Sequence, residues 1–580
     1  MIFLTSVDRQ KTTEEGKGLG PWVDNEDIVL SESPFDRKEA HQAAQCVQGM
    51  TEERSGELAQ ILNDIHGLEH SERYWSIVLN QSVQRLISMS YERLAIVRHA
   101  AAQSKSGSRF LMLEEDSFRP PVSLRSTAQF VSGSDRFNWQ LFSQCVESEG
   151  LTHTEVQHEF DEDTSQFTIT SREKRGFQRF FDHSNFGLRS RVAHSGLRIS
   201  SRLSKLRFLI GSRGRAWEIR QFPIYLEGPR FFKDVDRERR SLIGRVNWET
   251  EDRALQELLR RCLAHHLPAI FVERFGRLRR EVLALIERNG VPDIILTGPM
   301  VGQAPFRTWV AECVRRGSTL FGIQHGSGYG DVPEDAREAQ ERRVADKFLT
   351  WGWERREKDH PLPVPRFAGT SSKPFQTNKR NGVLWVTSGQ TFYGSYKYPL
   401  WLRWHQMGAT GFGVDHSSRV ACYQALNESI RANTTIRYKG SDPNVAATVE
   451  RVFGSDNISS KGTLLEQAEN AELVLVDHYP STSFYELLNA QVPVILVDDI
   501  PDWYLDGAAT DVLWDLLECG ILHTTPESAS ALVNDIYPNV EEWWDQSERQ
   551  SILKRARYHL ARGAEAPMQE YAAFINQHLD

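Results

Sequence analysis

At 580 residues the chain is longer than the roughly 250–300 at which one hydrophobic core stops growing, so at least two domains are expected. Hydrophobic residues at 40%, charged residues at 25% and aromatics at 10% exclude wholesale disorder, and a net charge of −9 gives no reason to expect nucleic-acid binding. The six cysteines form no C-x-x-C pair, and Cys262 with His265 lacks a second ligand pair; a disulfide scaffold is disfavoured and no metal site is expected.

The opening Met1-Ile2-Phe3-Leu4-Thr5-Ser6 reads as a first strand without a basic leader, and no apolar run reaches the ~18–20 residues that cross a bilayer. A cytoplasmic location is therefore expected. Short strands are predicted at 2–6, 27–31 and 109–114, with a helical tract over 51–103 in which Leu58, Ile61, Leu62 and Ile65 recur at helical spacing. Residues 172–220 carry thirteen Arg or Lys against Glu173, Asp182 and Glu218. Within them Leu188, Val192, Ile199, Leu203, Leu206 and Ile210 fall three, four or seven apart, the spacing of an amphipathic helix with a basic face. Such a segment is a solvated insertion or a contact with an anionic membrane surface.

From about 250 the pattern becomes regular: helices near 255–265 and 272–289, strand 293–297, helix 306–316, then strands 319–324 and 347–351. Residues 361–380 are rich in Pro, Ser, Lys and Asn and read as a linker. Beyond them strands at 382–387, 435–438, 473–477 and 493–497 alternate with helices at 417–432, 444–453, 463–469 and 483–490. Alternation of this kind builds parallel sheets covered on both faces. The expectation is an α/β chain with two Rossmann-like, doubly wound domains facing a cleft: an acceptor domain over 1–370 with the basic insertion, a nucleotide-binding domain over 381–562, and a C-terminal helix over 563–580.

Four clusters carry candidate chemistry. In Gln324-His325-Gly326-Ser327-Gly328-Tyr329-Gly330, glycines at alternate positions after a strand let backbone approach a ligand, with Gln324, Gly326 and Tyr329 as substrate contacts and His325 as an acid/base. In Asp477-His478-Tyr479-Pro480-Ser481-Thr482-Ser483, three hydroxyls gather at a helix start, where free N–H groups and the dipole favour a nucleotide phosphate, and Glu486 one turn on suits ribose hydroxyls. The plainer alternative is a capping box of Ser483 with Glu486. Lys439, at the end of a strand, is placed to neutralise a leaving phosphate. His66, Arg73 and Tyr74, at a helix–helix junction capped by Ser71, are candidates for an acceptor pocket.

Taken together, Ile65-His66-Gly67, Ser71, Arg73-Tyr74-Trp75, Gln324-His325-Gly326, Tyr329-Gly330, Thr350-Trp351-Gly352-Trp353, Ser481-Thr482-Ser483, Glu486-Leu487-Leu488, Gly520-Ile521-Leu522-His523, Pro526-Glu527-Ser528-Ala529 and Glu541-Glu542-Trp543-Trp544 resemble a family of transferases encoded in bacterial surface-polysaccharide loci, itself similar to retaining β-Kdo transferases. The resemblance implies a GT-B fold, a CMP-activated ulosonic donor (Kdo or a nonulosonic acid) as co-substrate, no cofactor and no metal, and a glycan or lipid-linked glycan as acceptor. Related enzymes often have a His-Pro or Pro-His step where this chain reads Lys439-Gly440-Ser441, and the stretch 298–305 lacks a carboxylate. A retaining reaction needs a nucleophile by analogy with retaining glycosidases, and Asp293 is the candidate. Polyol-phosphate transfer from a CDP-glycerol type of donor, and glycan binding without catalysis, are the alternatives.

Overall fold

The computed structural model describes residues 1–123, 134–171, 186–298, 303–330, 336–367, 381–387, 416–438, 449–498 and 510–580, apart from scattered single positions and short runs within them. The chain is α/β and its three larger sheets are parallel, two of them within the first 370 residues. The first runs in the order Lys17–Gly18, Ile2–Phe3, Phe110–Leu113, His153–Val156. The second runs Asp359–Pro361, Lys347–Thr350, Thr319–Ile323, Ile294–Thr297, Val192–Ser195, Ala216–Glu218. The third runs Thr434–Tyr438, Val383–Thr387, Leu473–Val476, Val494–Val497, Leu522–His523. In each, chain order places the second strand outside the first and the third on its other side, as in doubly wound Rossmann-like sheets. The second and third sheets, with helices between their strands, make up the GT-B plan.

The helical tract is two helices, Arg37–His66 and Glu72–Gln103, parted at Gly67 and restarted by Ser71, whose hydroxyl accepts the Tyr74 N–H at 3.2 Å. The second helix buries Leu86, Ile87, Ile96 and Val97 in one apolar core that also holds Phe110–Leu113 of the first sheet and Ile295 and Leu320 of the second. Two sheets thus share a core. Against this helix packs Ala304–Arg315, which brings in fully buried Glu312. Tyr74 donates to Glu312 at 3.0 Å, Arg279 at 2.6 Å and Arg315 at 3.3 Å, and Arg316 pairs with it too. Burial pushes the carboxyl up, but the Arg316 and Arg279 bonds outweigh it and hold the group at about 2.

The basic run is not a single helix. Val192–Ser195 is an interior strand of the second sheet, paired with both Ile294–Thr297 and Ala216–Glu218, and only Arg202–Gly211 is the amphipathic helix. Residues 172–185 lie outside the described residues. The region expected as a linker also differs at its start: Val364 and Phe367 are buried in the core of the third sheet, so only 368–380 fall outside the described residues. The final helix, Pro567–Leu579, crosses back to the second sheet and buries Tyr571, Phe574 and Ile575 against Ile294, Leu296 and Phe321, at about 1.5–3 kcal/mol per side chain. Among the described residues, no helix is long and apolar enough to cross a membrane.

Because the Glu312 carboxyl is depressed from its ordinary 4.5 to about 2, its contribution is complete above pH ~4.5 and is lost as pH falls toward 2. Denaturant titrations of the wild type and Glu312→Gln should show a wild-type loss of about 3 kcal/mol between those limits that the variant lacks. Parallel curves for the two proteins would remove Glu312 from the account.

Candidate active site

The strand Thr319–Ile323 runs into the glycine turn because Gln324 is built into its base. The buried Gln324 amide accepts from the Trp351 N–H at 2.8 Å and from Trp353 Nε1 at 2.9 Å, and donates to the Gly326 carbonyl at 3.0 Å. Every one of these contacts is internal. Gln324, expected to touch substrate, is buried and spends its oxygen twice and one of its two amide N–H donors on shaping the turn. Gly330, at φ 81°, closes the turn where a Cβ would lie 2.4 Å from the Trp353 ring, so no side chain fits there.

His325 projects from this turn, mostly buried. Its Nε2 meets the Tyr329 hydroxyl at 2.6 Å and Glu341 at 3.4 Å, and the Tyr329 hydroxyl donates to Glu341 at 2.9 Å. Since the tyrosine proton goes to the carboxylate, Nε2 is the donor to the tyrosine oxygen and Nδ1 is the ring's acceptor. Tyr329 is 1% exposed, which makes it a positioning group for His325 rather than the substrate contact expected. Glu341 belongs to the helix Ala336–Val344, whose Glu338 accepts the Gly330 N–H at 2.7 Å and pairs with Arg342 at 2.7 Å.

The second half of the site starts the helix Thr482–Asn489 at the end of Leu473–Val476. Ser481, not Ser483, is its N-cap: the hydroxyl accepts the Phe484 N–H at 3.3 Å, so the capping box with Glu486 does not form. Ser481 also meets His478 Nε2 at 3.1 Å, His478 Nδ1 lies 3.3 Å from Asp477, and the buried Asp477 accepts from Trp385 Nε1 at 2.9 Å. Asp477 follows the third strand of its sheet and Trp385 lies on the first, which is the switch point of a doubly wound order.

The two halves touch. The Ser327 N–H donates to Thr482 Oγ1 at 3.1 Å and the two hydroxyls lie 3.2 Å apart, while Gly326 faces the same threonine with room for a Cβ at 3.8 Å. Ser483 sits half-buried in the same first turn. Glu486 is engaged elsewhere, ion-paired to Arg366 at 2.7 Å across the domain junction, so its carboxylate is tied to a guanidinium rather than free for a ribose. Lys439 lies outside the described residues. Sequence reasoning does not single out Ser327, His478 or Arg366. Ser327 stood inside the glycine motif and His478 inside the hydroxyl motif, whereas nothing local marks Arg366.

Asp293 is at the wrong end of its strand. It precedes Ile294–Thr297, about 13 Å from that strand's carboxyl end at ~3.3 Å per residue, and its carboxylate pairs with Arg191 at 2.6 Å on the surface. Parallel pairing puts the carboxyl end of that strand, and not its start, beside His325, whose Cβ would stand 3.1 Å from a Cβ on Gly298. His66, Arg73 and Tyr74 are likewise committed to packing. His66 Nε2 bonds the Phe271 carbonyl at 2.9 Å with its pKa lowered by burial to about 4. Arg73 binds the Val344 carbonyl and Asp346, and Tyr74 binds Glu312.

Among solved structures, the chain is similar to the wall teichoic acid polymerase TagF, with 9% identity, 49% of this chain and 72% of that chain covered, and a TM-score of 0.31. It is similar to the UDP-GlcNAc 2-epimerase of Methanocaldococcus jannaschii, with 12% identity, 53% and 81% covered and a TM-score of 0.31. For WaaG, a glycosyltransferase involved in lipopolysaccharide biosynthesis, the figures are 14% identity, 52% and 94% covered and a TM-score of 0.28. The fold assignment rests on the chain's own sheet topology rather than on these distant likenesses. No curated protein sequence matches. The profile of the LIC12162 family of transferases, however, matches residues 10–575, and the chain belongs to that family.

Proposed function

We propose that this transferase moves a sugar, Kdo or a nonulosonic acid, from a CMP-activated donor to a bacterial surface glycan in the cleft between the second and third sheets. The observation that carries the reading is the contact of Ser327 with Thr482, which joins the glycine turn of one sheet to the hydroxyl-rich helix start of the other. A phosphate oxygen at that point would take the Ser327 N–H and the Thr482 hydroxyl together with the unpaired N–H groups of the helix's first turn. His478, between the buried Asp477 and Ser481, holds the Ser481 hydroxyl at that helix start. His325, its Nε2 proton directed at Tyr329 and Glu341, keeps Nδ1 to accept the proton of the attacking hydroxyl. Neutralising the phosphate and removing that proton are the two tasks that a good leaving group leaves to the protein.

The acceptor is proposed to be lipid-linked and reached from an anionic membrane surface. Leu203, Leu206 and Ile210 on the helix Arg202–Gly211 are 56%, 51% and 68% exposed, three of the six large apolar side chains exposed among the described residues. At 100° per residue they form one stripe, with exposed Arg202 and Arg207 on its two flanks, while Phe208 faces inward.

Nucleotide release from CMP-Kdo, a CMP-nonulosonate, CDP-glycerol and UDP-sugars, each with candidate acceptors, tests the transfer. Release from a CMP-sugar is expected; turnover of CDP-glycerol alone would replace the donor class, and turnover of none would refute the reading. Thr482→Val should raise the donor KM about ten-fold, the worth of one hydrogen bond to a charged group, and His325→Asn should lower kcat by about 10²-fold or more at an unchanged donor KM. In sedimentation with phosphatidylglycerol vesicles, Leu203→Ser/Leu206→Ser/Ile210→Ser should pellet about ten-fold less than the wild type. Equal pelleting would remove the membrane role and leave the transfer assignment standing.

A further inference from the structure

A cavity of about 580 Å³ lies along the outer face of the helix Ser547–Leu560, where that helix meets Asn489 at the far end of Thr482–Asn489. Seven residues of helix separate this end from Thr482, about 10 Å, so the cavity is distinct from the cleft. Its walls carry Lys554, Arg555, Arg557, His559 and Arg562 and no carboxylate. Arg555 pairs with Asp515, and Arg562 with Glu570 at 3.2 Å, so these two charges are compensated from outside the cavity. Lys554 and Arg557 have no ion-pair partner among the described residues, and Arg557 Nη1 is buried without an acceptor. Burial lowers the pKa of Arg557, and burial followed by the Arg555 charge lowers that of His559.

Cations in the last turns of a helix complement its dipole, which accounts for finding Arg557 there. It does not account for a donor nitrogen sealed from water with nothing to bond, beside a cavity walled by further cations. Arg557 Nη1 is closed to solvent, so it marks an uncompensated charge beside the cavity, and an anion there would stabilise that charge through space rather than by bonding this nitrogen. Tyr558 gives the site a second character: the residue is 53% exposed at the cavity wall, with the Arg562 guanidinium 5.5 Å from its ring centre, a surface on which a sugar ring can lie.

We propose that this cavity is a second binding site, for an anionic group carried on a saccharide, either a carboxylate or a phosphate monoester. The site does not depend on the donor assigned to the cleft. A chain that handles acidic glycans would hold a neighbouring acidic residue here while the reacting end occupies the cleft.

Calorimetric titration of the full chain with glucuronate, glucose 1-phosphate, inorganic phosphate and glucose tests this. At least one of the two acidic sugars should bind, glucose should not, and inorganic phosphate should bind more weakly than the sugar phosphate. Ser551→Glu with Lys554→Gln, both exposed positions that leave the core intact, should weaken the acidic sugar about ten-fold or more, whereas Thr482→Val should leave it unchanged. Binding that survives the first pair and is lost in Thr482→Val would put the ligand in the cleft and overturn the proposal. So would failure of both acidic sugars to bind, or equal binding of glucose; inorganic phosphate matching the sugar phosphate would overturn the saccharide part.

Discussion

Two sheets can face each other across a cleft only if the chain segments that pass between them are fixed, and here the two crossings are bonded to one another. The outward crossing holds Val364, whose N–H donates to the Arg562 carbonyl at 2.8 Å; the return crossing holds Arg562, whose N–H donates to the Trp351 carbonyl at 2.9 Å. Gly352 makes this approach possible. At φ 125° it brings its Cα so near the Tyr558 carbonyl that a Cβ would lie 2.0 Å from that oxygen, so any side chain would push the crossings apart. Trp351 is buried in the core of the third sheet although it follows a strand of the second, and the final helix returns the exchange by covering the second sheet. Each domain therefore completes the other's apolar surface, in an arrangement that brings Ser327 to Thr482.

Much of this was legible in the sequence, for reasons that differ by element. Strands such as Leu473–Val476 and Val494–Val497 are continuous apolar runs bounded by turns, and their alternation with helices implies parallel sheets without any tertiary information. In the first sheet Ile2–Phe3 and Phe110–Leu113 lie within the strands expected at 2–6 and 109–114, whereas Lys17–Gly18 is two residues long, too short for any period to register. Val192–Ser195 was misread for a different reason: Leu188, Val192, Ile199 and Leu203 are four and seven apart, and helical spacing arises there by coincidence across a strand and a loop. Alternation within four residues could not outweigh that longer pattern.

The candidate site divides in the same way. Its glycines and hydroxyls are local signals, because a turn against a ring and a helix start each need particular residue types at adjacent positions. The groups that give them direction come from far along the chain: Glu341 reaches His325 over 16 residues, and Thr482 reaches Ser327 over 155. No spacing rule connects such pairs. Asp293 shows the opposite error, for its place before the strand was visible. A parallel sheet opens its sites at carboxyl ends, so a carboxylate at a strand's start faces the other rim whatever its chemistry.

The strength of the Ser327–Thr482 contact bears on how such a cleft can work. Two hydrogen bonds between neutral groups, at 3.1 and 3.2 Å, contribute about 1 kcal/mol each, enough to favour one arrangement of the domains and too little to lock it. A phosphate offers the same N–H and hydroxyl a charged acceptor, worth about 1.5–3 kcal/mol per bond, and it adds the free N–H groups of the helix start. The exchange therefore favours the anion while using donors that the fold has already aligned. His325 needs no comparable rearrangement: Tyr329 and Glu341 hold its ring from within one domain, behind Gln324, so the imidazole proposed as proton acceptor keeps its orientation whichever partner Thr482 takes.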